Sequence, residues 1–220
     1  MNPFEIAAFV MAAAVVAGGA FYWRRLVLKK RIEALGRLAL EMRWTFSPGR
    51  DETLPSSLGQ GFHLFSLGHS KRASNVMRGS TSRGRAIIFD YQYTIGRGKE
   101  RRTSHRTVLC LGFEGKPIPR FALRPENVLH KIGAAFGYRD IDFESFPEFS
   151  KRYLLRGEDE MAIRDFFNAG VISFFEREGR LCMEGGDGNI LLYPARGQLK
   201  PENIRPFLTK GEELLGLLKG

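Results

Sequence analysis

Of 220 residues only two are cysteine, Cys110 and Cys182, and four are histidine. Neither type shows the paired short spacing of a zinc site, and two thiols cannot make a disulfide scaffold. Both sit in apolar, strand-like runs and read as small buried hydrophobes in a reducing compartment, although a single disulfide stays open from sequence alone. No Gly-rich loop leads into Lys-Ser/Thr, no serine stands in a Gly-x-Ser-x-Gly setting, and no HExxH occurs. The common nucleotide, esterase and metalloprotease signatures are therefore missing, and no metal or cofactor is expected. Two further absences are local. No Lys or Arg precedes Arg24, and no Leu precedes Leu26.

What does precede Arg24 is apolar. Phe4 to Trp23 reads FEIAAFVMAAAVVAGGAFYW, with Glu5 its only charge. A helix of that length covers about 30 Å, the hydrocarbon thickness of a bilayer. Phe21, Tyr22 and Trp23 fall where an interfacial aromatic belt belongs, and Arg24, Arg25, Lys29, Lys30 and Arg31 follow at once. Positive charge on that flank alone predicts an N-terminus outside and a cytoplasmic C-terminal domain, at the inner membrane of a cell. Tyr22, Trp23, Arg24, Arg25, Lys29, Lys30 and Arg31 are the expected membrane-interface residues, and anionic headgroups the expected partner. A signal peptide cleaved near Gly18-Gly19-Ala20 is the alternative, weakened by the uncharged start. Ala14 and Gly18 give small-xxx-small spacing, which suits a homodimer or a protein partner within the membrane.

The rest of the chain suits one domain. With 43% hydrophobic residues and 18 Phe it can bury a core. The division expected is 1–23 anchor, 24–44 basic amphipathic helix, and 45–220 cytoplasmic domain. Leu26, Ile32, Leu35, Leu38 and Met42 recur at helical spacing, so 24–44 either lies on anionic lipid or packs on the domain. Strands are expected over 61–69, 73–80, 85–95, 105–113, 119–124 and 149–157, and a hairpin over 181–194 turns at Gly186-Asp187-Gly188. Helices are expected from Pro125 to Phe136, over 158–168 and 171–178, and from Pro201 onward. Strands and helices mix without βαβ alternation. The fold class is α+β, a mainly antiparallel sheet with several packed helices behind one N-terminal transmembrane helix.

The formal net charge of +10 is uneven: +5 falls on 24–43 and +8 on 68–106, while the C-terminal half is near neutral. The densest block is the loop GRGKERRTSHR, where Arg97, Lys99, Arg101, Arg102 and Arg106 oppose Glu100 alone. These five are the candidate anion-binding residues, Arg forks and a Lys suited to phosphates. The plainer reading is a solvated hairpin tip whose charge deters edge pairing. Nucleic acid is the lesser partner, because stacking would need Phe89, Tyr91 and Tyr93 exposed, and their shared strand face is expected to be buried. Asp90 lies on the opposite face, where pairing with an arginine competes with a catalytic role. Asp140 and Asp142 are too few for a cation site. His63 and His69, placed on one strand, lie too far apart to share a metal, and His105 and His130 are isolated.

An anchor followed by MRGSTSRGRAIIFDYQYT, PRFALRPE, RDIDF and FSKRYLLRGEDE resembles a group of uncharacterised bacterial membrane-anchored proteins, over most of 62–195. The stretch 149–193 is similar, more loosely, to a broader bacterial family of domains of unknown function. The resemblance implies a bacterial inner-membrane protein and brings no activity or functional residue. The expected function is a binding or scaffold module at the inner membrane face. A membrane-tethered enzyme using Asp90 or Asp140 and Asp142, and weak nucleic-acid binding through 96–106, are the alternatives.

Overall fold

The computed structural model describes residues 2–58, 61–115, 117–126 and 140–219. Helix α1 spans Pro3–Glu41 without a break, about 58 Å at 1.5 Å per residue. It starts on a capping box: the Asn2 side chain accepts from the Phe4 amide, and Glu5 accepts from the Asn2 amide. Glu5 is thus a cap rather than an interruption of the apolar run. By length and composition α1 can cross a membrane, and the domain leaves its apolar window uncovered. The boundary drawn between residues 23 and 24 falls inside one helix.

The chain then builds β1 (Thr45–Ser47), the short turns α2 (Leu54–Ser57) and α3 (His63–Ser66), and the long strands β2 (His69–Thr81), β3 (Gly84–Ile95) and β4 (Arg102–Gly112). After β5 (Phe121–Pro125) come α4 (Pro147–Arg152), β6 (Tyr153–Gly157), α5 (Glu160–Phe166), α6 (Ala169–Glu178), β7 (Leu181–Gly186), β8 (Asn189–Pro194) and α7 (Ile204–Lys219). The strands form one eight-stranded sheet in the order β1-β2-β3-β4-β8-β7-β5-β6, with every neighbouring pair antiparallel. The α+β class and its antiparallel sheet stand as read from sequence.

Alternation sorts the side chains into two cores. Ala86, Ile88, Leu109, Leu111, Met183 and Leu192 face the helix side, packed with Leu35 and Ala39 of α1 and the apolar faces of α5, α6 and α7. Phe89, Tyr91, Tyr93, Val108, Cys110, Cys182 and Tyr193 face the other way, under Leu54, Leu58, Phe62, Leu64 and Leu67. The β7–β8 turn matches its sequence: Asp187 and Gly188 both have positive φ, as a two-residue hairpin turn of this kind requires.

Two expected strands differ. Residues 61–69 are not one strand; His63–Ser66 folds as the α3 turn, and β2 begins only at His69. A short apolar run fits either element, and Gly68 decides it: at φ +58 the chain reverses so tightly that a Cβ would lie 2.1 Å from the Thr94 carbonyl oxygen. Residues 149–157 split into α4 and β6. Pro147 in the first turn, Glu148 beside it and Lys151 and Arg152 in the last give α4 a helix's polarity. Pro125, expected to open a helix, is instead the last residue of β5, paired with Tyr153. The rest of the helix expected from Pro125 to Phe136 falls, beyond Glu126, outside the described residues, as does His130.

Candidate functional site

The second half of α1 is fastened to the sheet by a buried ion pair. Arg31 reaches Asp90 on β3 with two parallel bonds, Nε to Oδ2 at 2.8 Å and Nη2 to Oδ1 at 2.7 Å. Its remaining nitrogen, Nη1, donates to the Leu199 carbonyl at 2.7 Å. Asp90 also accepts from Asn75 Nδ2 at 2.8 Å and Thr107 Oγ1 at 3.3 Å. Asn75 reaches it because β2 shifts register between Ser74 and Met77, with Asn75 at φ 52. Such a bulge re-aims one side chain, here across the strand toward the carboxylate. Leu35 and Ala39 are buried further along α1, and Gly36 lets the Phe46 ring approach to 3.4 Å from where a Cβ would stand.

From Arg31 onward the segment 24–44 packs on the domain, whereas Arg24, Arg25 and 27–30 are exposed. The same contacts turn Arg31 inward. Expected at the membrane interface, its guanidinium is committed to Asp90 and Leu199. With two side-chain donors and Arg31 on it, Asp90 is an ion-pair partner in geometry and only 5% exposed.

The helix runs opposite to β3, and this fixes which end of the sheet lies near the apolar span. Trp44, beyond the end of α1, covers Gly79, which pairs with Ala86; Arg31 meets Asp90; and Arg24 is close enough to Arg72 and His105 to perturb both. Burial first, then Arg50 and Arg24, hold the Arg72 guanidinium below its ordinary value; burial first, then Arg24 and Arg72, do the same to the His105 imidazole. The β3–β4 tip therefore points toward the N-terminal half of α1.

All five candidate cations sit on that tip or beside it. Arg97, Lys99, Arg101 and Arg102 are exposed; Arg106 is half-buried and donates to the His105 carbonyl at 2.9 Å. Gly96 has φ +78, and a Cβ there would meet the Glu100 carbonyl oxygen at 2.6 Å, so the tight turn requires glycine. His69 braces it, with Nε2 3.1 Å from the Gly96 carbonyl. Phe89 and Tyr91 are fully buried and Tyr93 nearly so, which leaves them unable to stack on a base. Tyr22 and Trp23 are exposed on α1.

A second buried polar cluster, unforeseen in the sequence, occupies the opposite face. Glu184 is fully buried on β7. It accepts from the Leu64 amide at 3.1 Å, from Arg124 Nη2 at 3.0 Å and from the Tyr193 hydroxyl. Burial, then Glu184, push the Tyr193 phenol well above its ordinary value. His63 lies beside them, its imidazole pushed down to about 4 by burial and then by Arg124. The signal was present: Glu184 shares strand parity with Cys182, so it faces inward, and only a cation could balance it there.

The other candidates do not gather. Asp140 accepts from the Leu155 amide at 3.0 Å and is raised by partial burial, whereas Asp142 offers its backbone carbonyl to Arg164. His63 and His69 lie on different elements. Among the described residues no group of three or more His, Cys, Asp or Glu comes together to hold a metal. Cys110 and Cys182 are buried and unbridged, each thiol pushed up to about 12 by burial.

No protein family matches this sequence, and no curated protein does. Among solved structures the fold is similar to the crystal structure of the mycobacterial trehalose monomycolate transport factor A, TtfA. The TM-score is 0.58 at 13% identity, covering 87% of this chain and 94% of that one. At such identity the likeness concerns the fold alone. This chain's own structure shows a long apolar N-terminal helix leading into an antiparallel sheet with helices. That much of the resemblance drawn from the sequence is what the structure carries.

Proposed function

We propose that this protein is a single-pass protein of the bacterial inner membrane, N-terminus outside, whose cytoplasmic domain is a rigidly mounted binding module rather than an enzyme. The observation that carries this is the continuity of α1. One helix leaves its apolar N-terminal part uncovered and, from Arg31 on, lays Leu35 and Ala39 into the core, with Arg31 locked to Asp90. A tethered enzyme needs only a flexible linker. A module that must present one surface at a fixed height and angle to a membrane partner needs the stiff mount seen here. The cations Arg24, Arg25, Lys29 and Lys30 favour the cytoplasmic orientation. Ala14 and Gly18, exposed on the span, suit close approach of a second helix.

Topology is tested with one introduced thiol. Met161 is 83% exposed, and both native thiols are buried, so an impermeant maleimide on Met161→Cys has little background. Labelling only after the inner membrane is opened is the expected result. Labelling in intact spheroplasts would put the domain outside.

A narrower reading rests on the fold. The likeness to TtfA, by name a trehalose monomycolate transport factor, supports a role beside lipid transport machinery in the membrane. In a deletion strain, a pulse of labelled lipid precursor would then be retained in the inner membrane. Unchanged export would leave the mounted module without this role.

A further inference from the structure

The sheet carries its own ruler for where the basic hairpin lies relative to the bilayer. From Asp90 to Ile95 strand β3 advances about 17 Å toward the tip. The same distance back along α1 from Arg31 reaches roughly Ala20 or Phe21 at 1.5 Å per residue. A crossing angle of some tens of degrees between helix and strand moves that level only to Tyr22 or Trp23. Either way the tip of the hairpin stands level with the aromatic belt, not deep in the cytoplasm.

What it presents there is chemically specific. Ile95 is 36% exposed at the end of β3, paired across the hairpin with Arg102. Arg97, Lys99 and Arg101 follow it in the loop and Arg102 stands opposite it, all exposed, with Glu100 the one acid in the loop. Lys71 and Arg72 at the start of β2, and Arg24 on α1, collect at the same end of the sheet. Like charges so gathered repel one another in the free protein, and an anionic surface relieves that repulsion. A partly exposed branched apolar side chain at the base of a cationic hairpin tip is the composition of an interfacial contact: apolar body among acyl-chain ends, guanidinium groups on phosphates.

We infer that the β3–β4 hairpin is a second membrane contact, seating Ile95 in the headgroup layer with Arg97, Lys99, Arg101 and Arg102 on anionic lipid phosphates. This rests on the anchor reading above. Together with α1 it fixes the domain at two points, so that the module cannot swivel about its helix. Nucleic acid would compete for the same cations, but the neighbouring aromatics are buried and offer no stacking face.

The test uses the full chain in lipid nanodiscs with an environment-sensitive fluorophore on Lys99→Cys, and separately on Tyr22→Cys. In discs containing phosphatidylglycerol the Lys99 probe is expected to show blue-shifted emission and quenching by headgroup-level spin-labelled lipid. Both effects disappear in pure phosphatidylcholine discs, and also when Arg97, Arg101 and Arg102 are changed together to Glu. A Lys99 probe equally wet in both lipids, with the Tyr22 probe buried, overturns the hairpin contact and leaves the anchor standing. A Tyr22 probe that is also wet overturns the anchor, and the hairpin inference falls with it. Emission shifted by short duplex DNA but not by anionic discs would assign the hairpin to nucleic acid instead.

Discussion

Arg31 and Asp90 lie 59 residues apart in the chain and meet through two bonds of 2.8 and 2.7 Å, with the ion pair almost wholly removed from water. A buried pair of this kind contributes little over an apolar substitute, but removing one partner strands a charge. Asp90→Asn is therefore expected to cost about 3–5 kcal/mol, read as a fall in melting temperature of the full chain. Arg31→Lys recovers little, because an ammonium cannot make both parallel bonds. Replacing both residues by apolar ones of similar volume should cost much less than either single change. A double-mutant cycle showing no coupling would mean that the pair does not hold the helix.

His63 makes stability depend on pH. Folded, its imidazole protonates only near 4, while in the unfolded chain it does so near the ordinary 6.5. Between those values the unfolded state binds a proton that the folded state does not, so stability is full above about 6.5 and falls as pH drops toward 4. The loss attributable to His63 is on the order of 3 kcal/mol. His63→Gln should flatten this part of a denaturant-unfolding pH series; an unchanged slope would assign it to other groups.

The Glu184 cluster predicts a ranking. Glu184→Gln leaves Arg124 buried without its counter-charge and should cost about 3–5 kcal/mol. Tyr193→Phe removes one hydrogen bond to a charged group, about 1.5–3 kcal/mol. Equal costs in chemical denaturation would show that Arg124 finds its balance elsewhere.

Two glycines with nearly the same φ separate backbone strain from crowding. Gly98, at φ +56, has nothing within 4 Å of where a Cβ would stand, whereas at Gly68, at φ +58, a Cβ would strike the Thr94 carbonyl. Gly98→Ala should cost roughly 1 kcal/mol for the left-handed backbone alone. Gly68→Ala should cost clearly more in the same denaturation measurement, since the β2–β3 edge must open to admit it.

How much of this could be read beforehand differs by element. Strands β3 and β4 and the 181–194 hairpin were legible because alternation and an Asp-Gly turn are local signals. The α3 turn and the α4–β6 break were not, since short apolar runs fit helix and strand alike and only tertiary contacts choose. The Arg31–Asp90 lock lay between these cases. Among 34 Lys and Arg no rule names the partner of Asp90. Yet Arg31 precedes Leu35, Leu38 and Met42 on one helical stripe, which marked it as the cation on the packing face. Reading residues 24–31 as a single basic cluster hid that. The basic tip was visible as composition, but its height relative to the span follows only from the antiparallel run of α1 against β3.

The continuity of α1 and the Arg31–Asp90 lock predict that anchor and domain move as one body. Spin labels on Val15→Cys in the span and Met161→Cys in the domain, measured by pulsed dipolar spectroscopy in nanodiscs, test it directly, because the native thiols are buried. A single narrow distance distribution that broadens in Asp90→Asn is the predicted result. A broad distribution in the native protein, unchanged by Asp90→Asn, would show a flexible tether and contradict the account.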